Sequence, residues 1–122
     1  MIDHISIGVR DLNRAAAFYD AVLPVLGLAK LRTKPTTVGY GKTYPEFWIN
    51  ARPALPEAAD NGVHICLRAP DAAAVETFYK AALAAGGSAD GTPGRRPEYN
   101  DRYYAAFVLD PDGNKIEAVT FL

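Results

Sequence analysis

The chain has 122 residues, of which 49% are hydrophobic and 22% charged, and its formal net charge is −1. This is the composition of one globular domain, and a charge so near zero gives no electrostatic reason to expect a nucleic-acid or anionic-membrane partner. No run of about 18 apolar residues is present, the first residues begin a strand pattern rather than a signal peptide, and the single cysteine excludes an intrachain disulfide. We therefore expect a cytoplasmic protein that does not span a membrane.

The first half of the chain follows a pattern of one strand, one helix and further strands. Residues 4–9 alternate between apolar and other side chains, which predicts a strand with one buried face. Asp11 is the predicted N-cap of a helix over 12–26, and Pro24 is expected to end or kink that helix early. Three short strands are then predicted, over 28–32, 37–40 and 46–51.

The second half repeats this plan after a segment rich in proline and alanine. Residues 63–69 alternate like the first strand, and Asp71 is the predicted cap of a helix that ends at Gly86-Gly87. Strands are predicted over 88–91, 103–109 and 115–122. The pattern βαβββ, found twice, predicts an α+β fold with helices on one side of a mixed sheet. We divide this single domain into module one (1–51), a linker (52–61) and module two (62–122).

The only two histidines of the chain stand at matching positions of this duplication. His4 and His64 are 60 positions apart, and the same offset pairs Asp11 with Asp71, Phe18 with Phe78 and Tyr19 with Tyr79. If the apolar strand faces pack on the helices, both histidines lie on the opposite, open side. Because imidazole is the commonest metal ligand in proteins, the duplication predicts one shared site near a pseudo-two-fold axis.

Strand alternation adds two carboxylates to the open side. Glu117 lies among apolar residues of the last predicted strand, where an unpaired carboxylate is costly, and Glu46 shares a face with Trp48. Two imidazoles and two carboxylates suit a divalent ion such as Zn, Ni, Mn or Fe(II). A metal-free interpretation stays open, since strand histidines are commonly satisfied polar residues and both glutamates could be solvated. Cys66 is interpreted as a packing residue rather than a ligand or nucleophile.

These residues resemble the vicinal oxygen chelate superfamily, which includes glyoxalase I, fosfomycin-resistance proteins, extradiol dioxygenases and bleomycin-resistance proteins. The resemblance covers essentially the whole chain and is carried by Asp3-His4-Ile5-Ser6-Ile7, the stretch 11–27, Gly62-Val63-His64-Ile65 and the stretch 107–117. It implies paired βαβββ modules that form a cup around a divalent metal. By motif, His4, His64 and Glu117 match three ligand positions, and Glu46 matches the fourth, as in glyoxalase I. Short members commonly dimerise, and in several the cup combines modules of both chains, so the resemblance implies a homodimer.

The resemblance also implies a glyoxalase-like lyase or isomerase, in which the metal chelates a small molecule through two adjacent oxygens. Glu117 is the first candidate for the base that removes a proton next to a carbonyl, and Glu46 is the second. The residues predicted to contact the substrate are Trp48, Arg96, Tyr99 and Tyr103.

Several alternatives stay open at this point. The segment 94–99, by which module two is longer, could be a solvated basic turn beside ordinary strand tyrosines. An extradiol-type dioxygenase would need only two histidines and one glutamate around Fe(II). A resistance protein that sequesters an antibiotic without catalysis, or a metal-free scaffold, would need the cup alone.

Overall fold

The predicted repeat of strand, helix and three strands is confirmed by the computed structural model, which describes residues 1–57 and 59–122. Module one contains β1 (Ile5–Val9), α1 (Leu12–Val22), a 3-10 turn (Pro24–Leu26), β2 (Ala29–Lys34), β3 (Thr37–Gly41) and β4 (Pro45–Ala51). Module two contains β5 (Ile65–Arg68), α2 (Ala72–Ala84), β6 (Ser88–Arg95), β7 (Tyr103–Leu109) and β8 (Lys115–Phe121). The α+β class is therefore confirmed as well.

Each module forms its own four-stranded mixed sheet. The strand orders are β1-β4-β3-β2 and β5-β8-β7-β6, so the two sheets have the same topology. The first and last strands of each module run parallel, and the other neighbours are antiparallel. In the parallel pairs, Ile5 lies opposite Phe47 and Ile65 lies opposite Ile116, which fixes the correspondence between the modules.

The two helices begin at the aspartates predicted as their caps. The Asp11 carboxylate accepts the Arg14 backbone N–H at 3.0 Å, and Asp71 accepts that of Ala74 at 2.8 Å. α1 ends at Val22, shortly before Pro24, because the proline ring cannot continue an α-helix. Within residues 1–57 and 59–122, no helix has the length and apolar character needed to cross a membrane.

The helix-facing sides of both sheets meet in one hydrophobic core. Buried residues of module one, such as Phe18 and Phe47, join Phe78 and Ile116 of module two in a single cluster. The buried Tyr19 hydroxyl donates to Asp110 Oδ2 at 2.6 Å and so links α1 to the turn between β7 and β8. The two modules of one chain therefore pack through their helical sides, and the opposite side of each sheet, here called its outer face, is left out of this core.

β6 is longer than the strand predicted over 88–91. It continues through Gly91, Pro93 and Gly94 to Arg95, so the predicted loop over 94–99 starts later, at residue 96. Glycine and proline there indicate a loop from sequence. In the structure they lie on an edge strand, where two register shifts against β7 accommodate them. β2 likewise covers Ala29–Lys34 rather than 28–32.

Candidate functional site

A pair of complementary side chains, His64 and Glu117, lies on the outer face of the second sheet. His64 Nε2 is 3.1 Å from Glu117 Oε1. The Tyr103 hydroxyl donates to the other carboxylate oxygen, Oε2. Glu117 is only 2% exposed. Because burying a carboxylate is costly unless it is paired, these two contacts explain how the centre of β8 accommodates it.

The surroundings of Glu117 also shift the pKa values of two neighbours. Burial, and then the hydrogen bond to the Glu117 carboxylate, raises the pKa of Tyr103, so the phenol stays a hydrogen-bond donor at neutral pH. Burial of the thiol, and then the charge of Glu117, raises the pKa of Cys66 to about 12. Although Cys66 retains accessible surface, its thiol stays protonated and is a poor nucleophile.

A cavity of about 650 Å³, here called the site cavity, opens beside this pair. Three of the residues predicted to contact substrate line it together with His64 and Glu117, namely Arg96, Tyr99 and Tyr103. The rings of Tyr99 and Tyr103 meet edge to face with centroids 5.0 Å apart. The site cavity therefore combines an imidazole, a carboxylate, an aromatic wall and a guanidinium group.

His4 and Glu46 of module one lie apart from this pair. The exposed His4 ring contacts its neighbour Asp3, with Nδ1 2.7 Å from Oδ2. Glu46 accepts the Lys42 backbone N–H at 3.2 Å. In the part of the chain that the structure describes, no group of three or more His, Cys, Asp or Glu side chains is arranged to hold a metal ion. One chain therefore brings together only two of the four predicted ligands.

Comparisons with known proteins agree with this architecture. The family model of the Glyoxalase/Bleomycin resistance protein/Dioxygenase superfamily matches residues 1–118. The chain belongs to this superfamily. A solved glyoxalase/bleomycin resistance protein from Albidiferax ferrireducens T118 is 32% identical, with 96% of this chain and 95% of that chain covered and a TM-score of 0.83. A search of the curated proteins found no match.

More distant members of the superfamily share the fold. A glyoxalase/bleomycin resistance protein/dioxygenase family enzyme from Burkholderia phytofirmans PsJN is 21% identical, with 99% of this chain and 98% of that chain covered and a TM-score of 0.78. Glyoxalase I from Zea mays is 24% identical, with 96% of this chain but 44% of that chain covered and a TM-score of 0.73. Superfamily members bind small molecules, commonly hold a divalent metal and often form dimers.

The His64–Glu117 pair fits half of a divalent metal site of the superfamily. Two ligand atoms that each lie about 2.0–2.2 Å from one ion are about 3 Å apart when they are at right angles and about 3.4 Å apart in a tetrahedral arrangement. The observed separation of Nε2 and Oε1 is 3.1 Å, and Tyr103 orients the second carboxylate oxygen as outer partners of ligating carboxylates do. Within residues 1–57 and 59–122, one chain brings only these two donors together, so the fit is that of a half-site.

In the strand register, the residue of module one that occupies the position equivalent to Glu117 is Trp48, not Glu46. Ser6 lies opposite Trp48, just as Cys66 lies opposite Glu117, and Glu46 comes two residues before Trp48 on the same strand. In this chain, the position of module one that corresponds to the buried Glu117 carboxylate is therefore occupied by the Trp48 indole ring.

The Trp48 indole on the outer face of the first sheet packs over Gly39, which has no side chain. A Cβ added to Gly39 would lie 2.7 Å from the indole, so the ring needs a glycine at that position. The Lys34 ammonium group lies 5.9 Å from the ring centroid. Trp48 does not line the site cavity with Arg96, Tyr99 and Tyr103.

Phe107 and Lys115 also line the site cavity, and neither was among the site residues predicted from the sequence. Phe107 lies opposite Glu117 in the sheet, and the Lys115 ammonium group is 5.1 Å from its ring centroid. β7 is apolar on both faces, so alternation could not show that Phe107 belongs to the outer one. The signal that could have found it is the pairing of β7 with β8.

Proposed function

We propose that this protein is a divalent-metal-dependent lyase or isomerase of the glyoxalase type, acting on a small molecule that presents two adjacent oxygens. The observation that carries the proposal is the buried Glu117 carboxylate, paired with His64 and oriented by Tyr103 at the wall of the site cavity. A buried polar arrangement facing a cavity is the usual mark of a binding or catalytic site. The single cysteine fits a reducing compartment, so we propose the cytoplasm as its location.

The proposed ligand set needs a homodimer. His4 directly precedes β1 and Glu46 lies near the start of β4, both in module one, whereas His64 and Glu117 belong to module two. The outer face of the second sheet also carries its own apolar cluster around Phe107, separate from the main core. We propose that the first sheet of a second copy covers this face, so that His4 and Glu46 of one chain approach His64 and Glu117 of the other.

The residues of the chain have distinct roles in this proposal. When bound, the ion would act as a Lewis acid that stabilises negative charge on the two substrate oxygens. Glu117 is the proposed base, taking a proton from the carbon next to a carbonyl onto its carboxylate and returning it to the adjacent carbon. Tyr103 donates a hydrogen bond to Oε2 and so holds this carboxylate in one orientation. Glu46 is the second candidate for the base.

The strand register favours a second candidate function. With Trp48 in the counterpart position of Glu117, the ligand set reduces to His4, His64 and Glu117. Two histidines and one carboxylate are typical of Fe(II) oxygenases, which leave the remaining positions of the ion open. An extradiol-type dioxygenase is therefore the alternative, and in it Glu46 holds no ion.

Metal content tests these proposals directly. Wild-type protein is incubated with Ni, Zn, Mn and anaerobic Fe(II), desalted, and measured by elemental mass spectrometry beside His4→Ala, His64→Ala and Glu46→Gln. We expect about one ion per chain in the wild type and its loss in both histidine variants, since each removes a ligand. Glu98→Gln, which changes an exposed glutamate, is the control and should retain the ion.

The Glu46→Gln variant and activity assays separate the candidates. Loss of the ion in Glu46→Gln supports the four-ligand set, and turnover of a methylglyoxal hemithioacetal that Glu117→Gln abolishes supports the lyase or isomerase. Retention of Fe(II) in Glu46→Gln with oxygen uptake on catechols supports the dioxygenase. A wild type that takes up none of the four ions contradicts both and favours a protein that binds its small molecule without metal.

A further inference from the structure

Arg96 is held at the site cavity in a single orientation. Its Nη1 donates to the Gly94 carbonyl at 2.9 Å and its Nη2 donates to the Thr92 carbonyl at 2.8 Å. Its Cζ lies 5.6 Å from the Phe107 ring centroid, within cation–π distance. Neutral carbonyls and a ring orient the guanidinium group but leave its full positive charge in place.

Two glycines of β6 make room for this guanidinium group. A Cβ added to Gly91 would lie 3.3 Å from Arg96 Nη2, and one added to Gly94 would lie 3.3 Å from Nη1. Both glycines lie where β6 shifts register against β7. The irregular strand therefore forms a seat for Arg96, and its side chain loses little further entropy when it binds a ligand.

The other charged groups of the site cavity have polar partners, and Lys115 and Asp90 form an ion pair. The Lys115 ammonium group is 3.0 Å from Asp90 Oδ2, and Glu117 is paired with His64. Across residues 1–57 and 59–122, Arg96 forms no salt bridge, and its side-chain hydrogen bonds go to backbone carbonyls alone. The site cavity therefore presents, on the wall beside Tyr99, a half-buried guanidinium group that has no ionic partner among the described residues.

We propose that Arg96 binds an anionic group, a carboxylate or a phosphate, on the molecule that His64 and Glu117 receive. The planar guanidinium fork suits both groups. Nη1 already donates to two carbonyls and Nη2 to one, but Nε forms no hydrogen bond within residues 1–57 and 59–122, so the edge formed by Nε and Nη2 keeps donors for an anion. The inference rests on the proposed function for the role of the other end of the molecule. It names the substrate class as a small anion with a pair of oxygens, and it disfavours a cationic drug.

The test uses metal-free protein, so that its outcome does not depend on the metal proposal. Full-length protein dialysed against EDTA is titrated with phenyl phosphate, followed by calorimetry and by 1H–15N NMR. We expect saturable binding with shifts in the amides around His64, Arg96 and Tyr99. Arg96→Gln should weaken binding at least tenfold, because charge-assisted hydrogen bonds are lost. Benzoate replaces phenyl phosphate in a parallel series to distinguish carboxylate from phosphate preference.

Arg95→Gln is the matched control. It removes the same charge from the neighbouring position, but the exposed Arg95 side chain donates, among the described residues, only to the Asp101 carbonyl, at 3.2 Å. We expect less than a twofold change in its dissociation constant. Arg96→Lys keeps the charge and loses the fork, so several-fold weaker binding is expected, and this variant serves if Arg96→Gln does not fold.

Three outcomes would overturn the inference: no saturable binding of either anion, equal weakening by Arg95→Gln and Arg96→Gln, or shifts remote from the site cavity. Metal uptake without anion binding would overturn this inference and leave the proposed function standing. Anion binding at Arg96 in a protein that takes up no metal would support this inference and overturn the proposed function.

Discussion

Replacing Tyr103 with phenylalanine removes one hydroxyl from the candidate site and leaves the ring in place. In the native protein that hydroxyl donates to Glu117 Oε2, and Glu117 is 2% exposed. A hydrogen bond to a charged group contributes about 1.5–3 kcal/mol. Tyr103 is half-buried, so water from the site cavity can replace part of the lost bond, and we expect the free energy of unfolding to fall by about 1.5 kcal/mol.

Tyr104 offers a matched control in the next position of β7. Its hydroxyl donates to Glu76 Oε1 at 2.8 Å, but Glu76 is exposed, so water can replace that donor fully. We expect Tyr104→Phe to cost less than about 0.5 kcal/mol. Urea unfolding of the metal-free proteins, followed by circular dichroism, measures both changes. With a slope of about 2 kcal/mol per molar urea, the two midpoints should differ by roughly 0.5 M.

Metal affinity supplies a second readout for the same pair of variants. Loss of an outer partner of a metal ligand typically costs 10–100-fold in affinity, so Tyr103→Phe should show that loss in a chelator competition while Tyr104→Phe matches the wild type. If the two variants are equally stable and bind metal equally well, Tyr103 does not orient Glu117, and the account of how β8 accommodates a buried carboxylate fails.

Two further predictions concern the core between the modules. Tyr19→Phe removes the 2.6 Å hydrogen bond to the buried Asp110, which keeps other donors, so we expect a loss of about 1–2 kcal/mol in urea unfolding. Tyr40→Phe loses a bond to the exposed Asp20 and should cost less; equal costs would contradict the assigned role of Asp110. Burial above all raises the pKa values of Tyr19 and Tyr40, so above pH 10 the folded state binds more protons than the unfolded state. The free energy of unfolding should therefore fall as pH rises past 10, and it should fall less steeply in Tyr19→Phe. A free energy of unfolding that does not change with pH above 10 would refute this prediction.

The fold could be predicted from sequence because its signals are local and duplicated. Alternation over 4–9 and 63–69, together with the capping aspartates, predicted the first strand and helix of each module. β6 was predicted too short because glycine and proline favour loops, and only tertiary pairing with β7 holds them in a strand. Tertiary context overrides such local preferences most easily at a sheet edge.

Part of the candidate site could be predicted from the sequence in the same way. The duplication pointed to His64, and the cost of an unpaired carboxylate pointed to Glu117, which the structure pairs at 3.1 Å. The correspondence of Trp48 with Glu117 could not be predicted, because it depends on the register of β4 against β1. The fixed orientation of Arg96 depends on two register shifts in β6, which leave no signature in sequence.

The shared core has a consequence for the stability of each module taken by itself. Each module buries its helical side against the other; Phe18 of the first, for example, would lie 2.7 Å from a Cβ added to Gly87 of the second. A single module of about 60 residues would leave that side in water, and so small a domain is marginal by itself. Either module expressed alone should therefore gain stability by pairing with a second module, and that stability would depend on its concentration. In the intact chain the partner module is supplied within the same polypeptide, so this part of the stability does not depend on concentration.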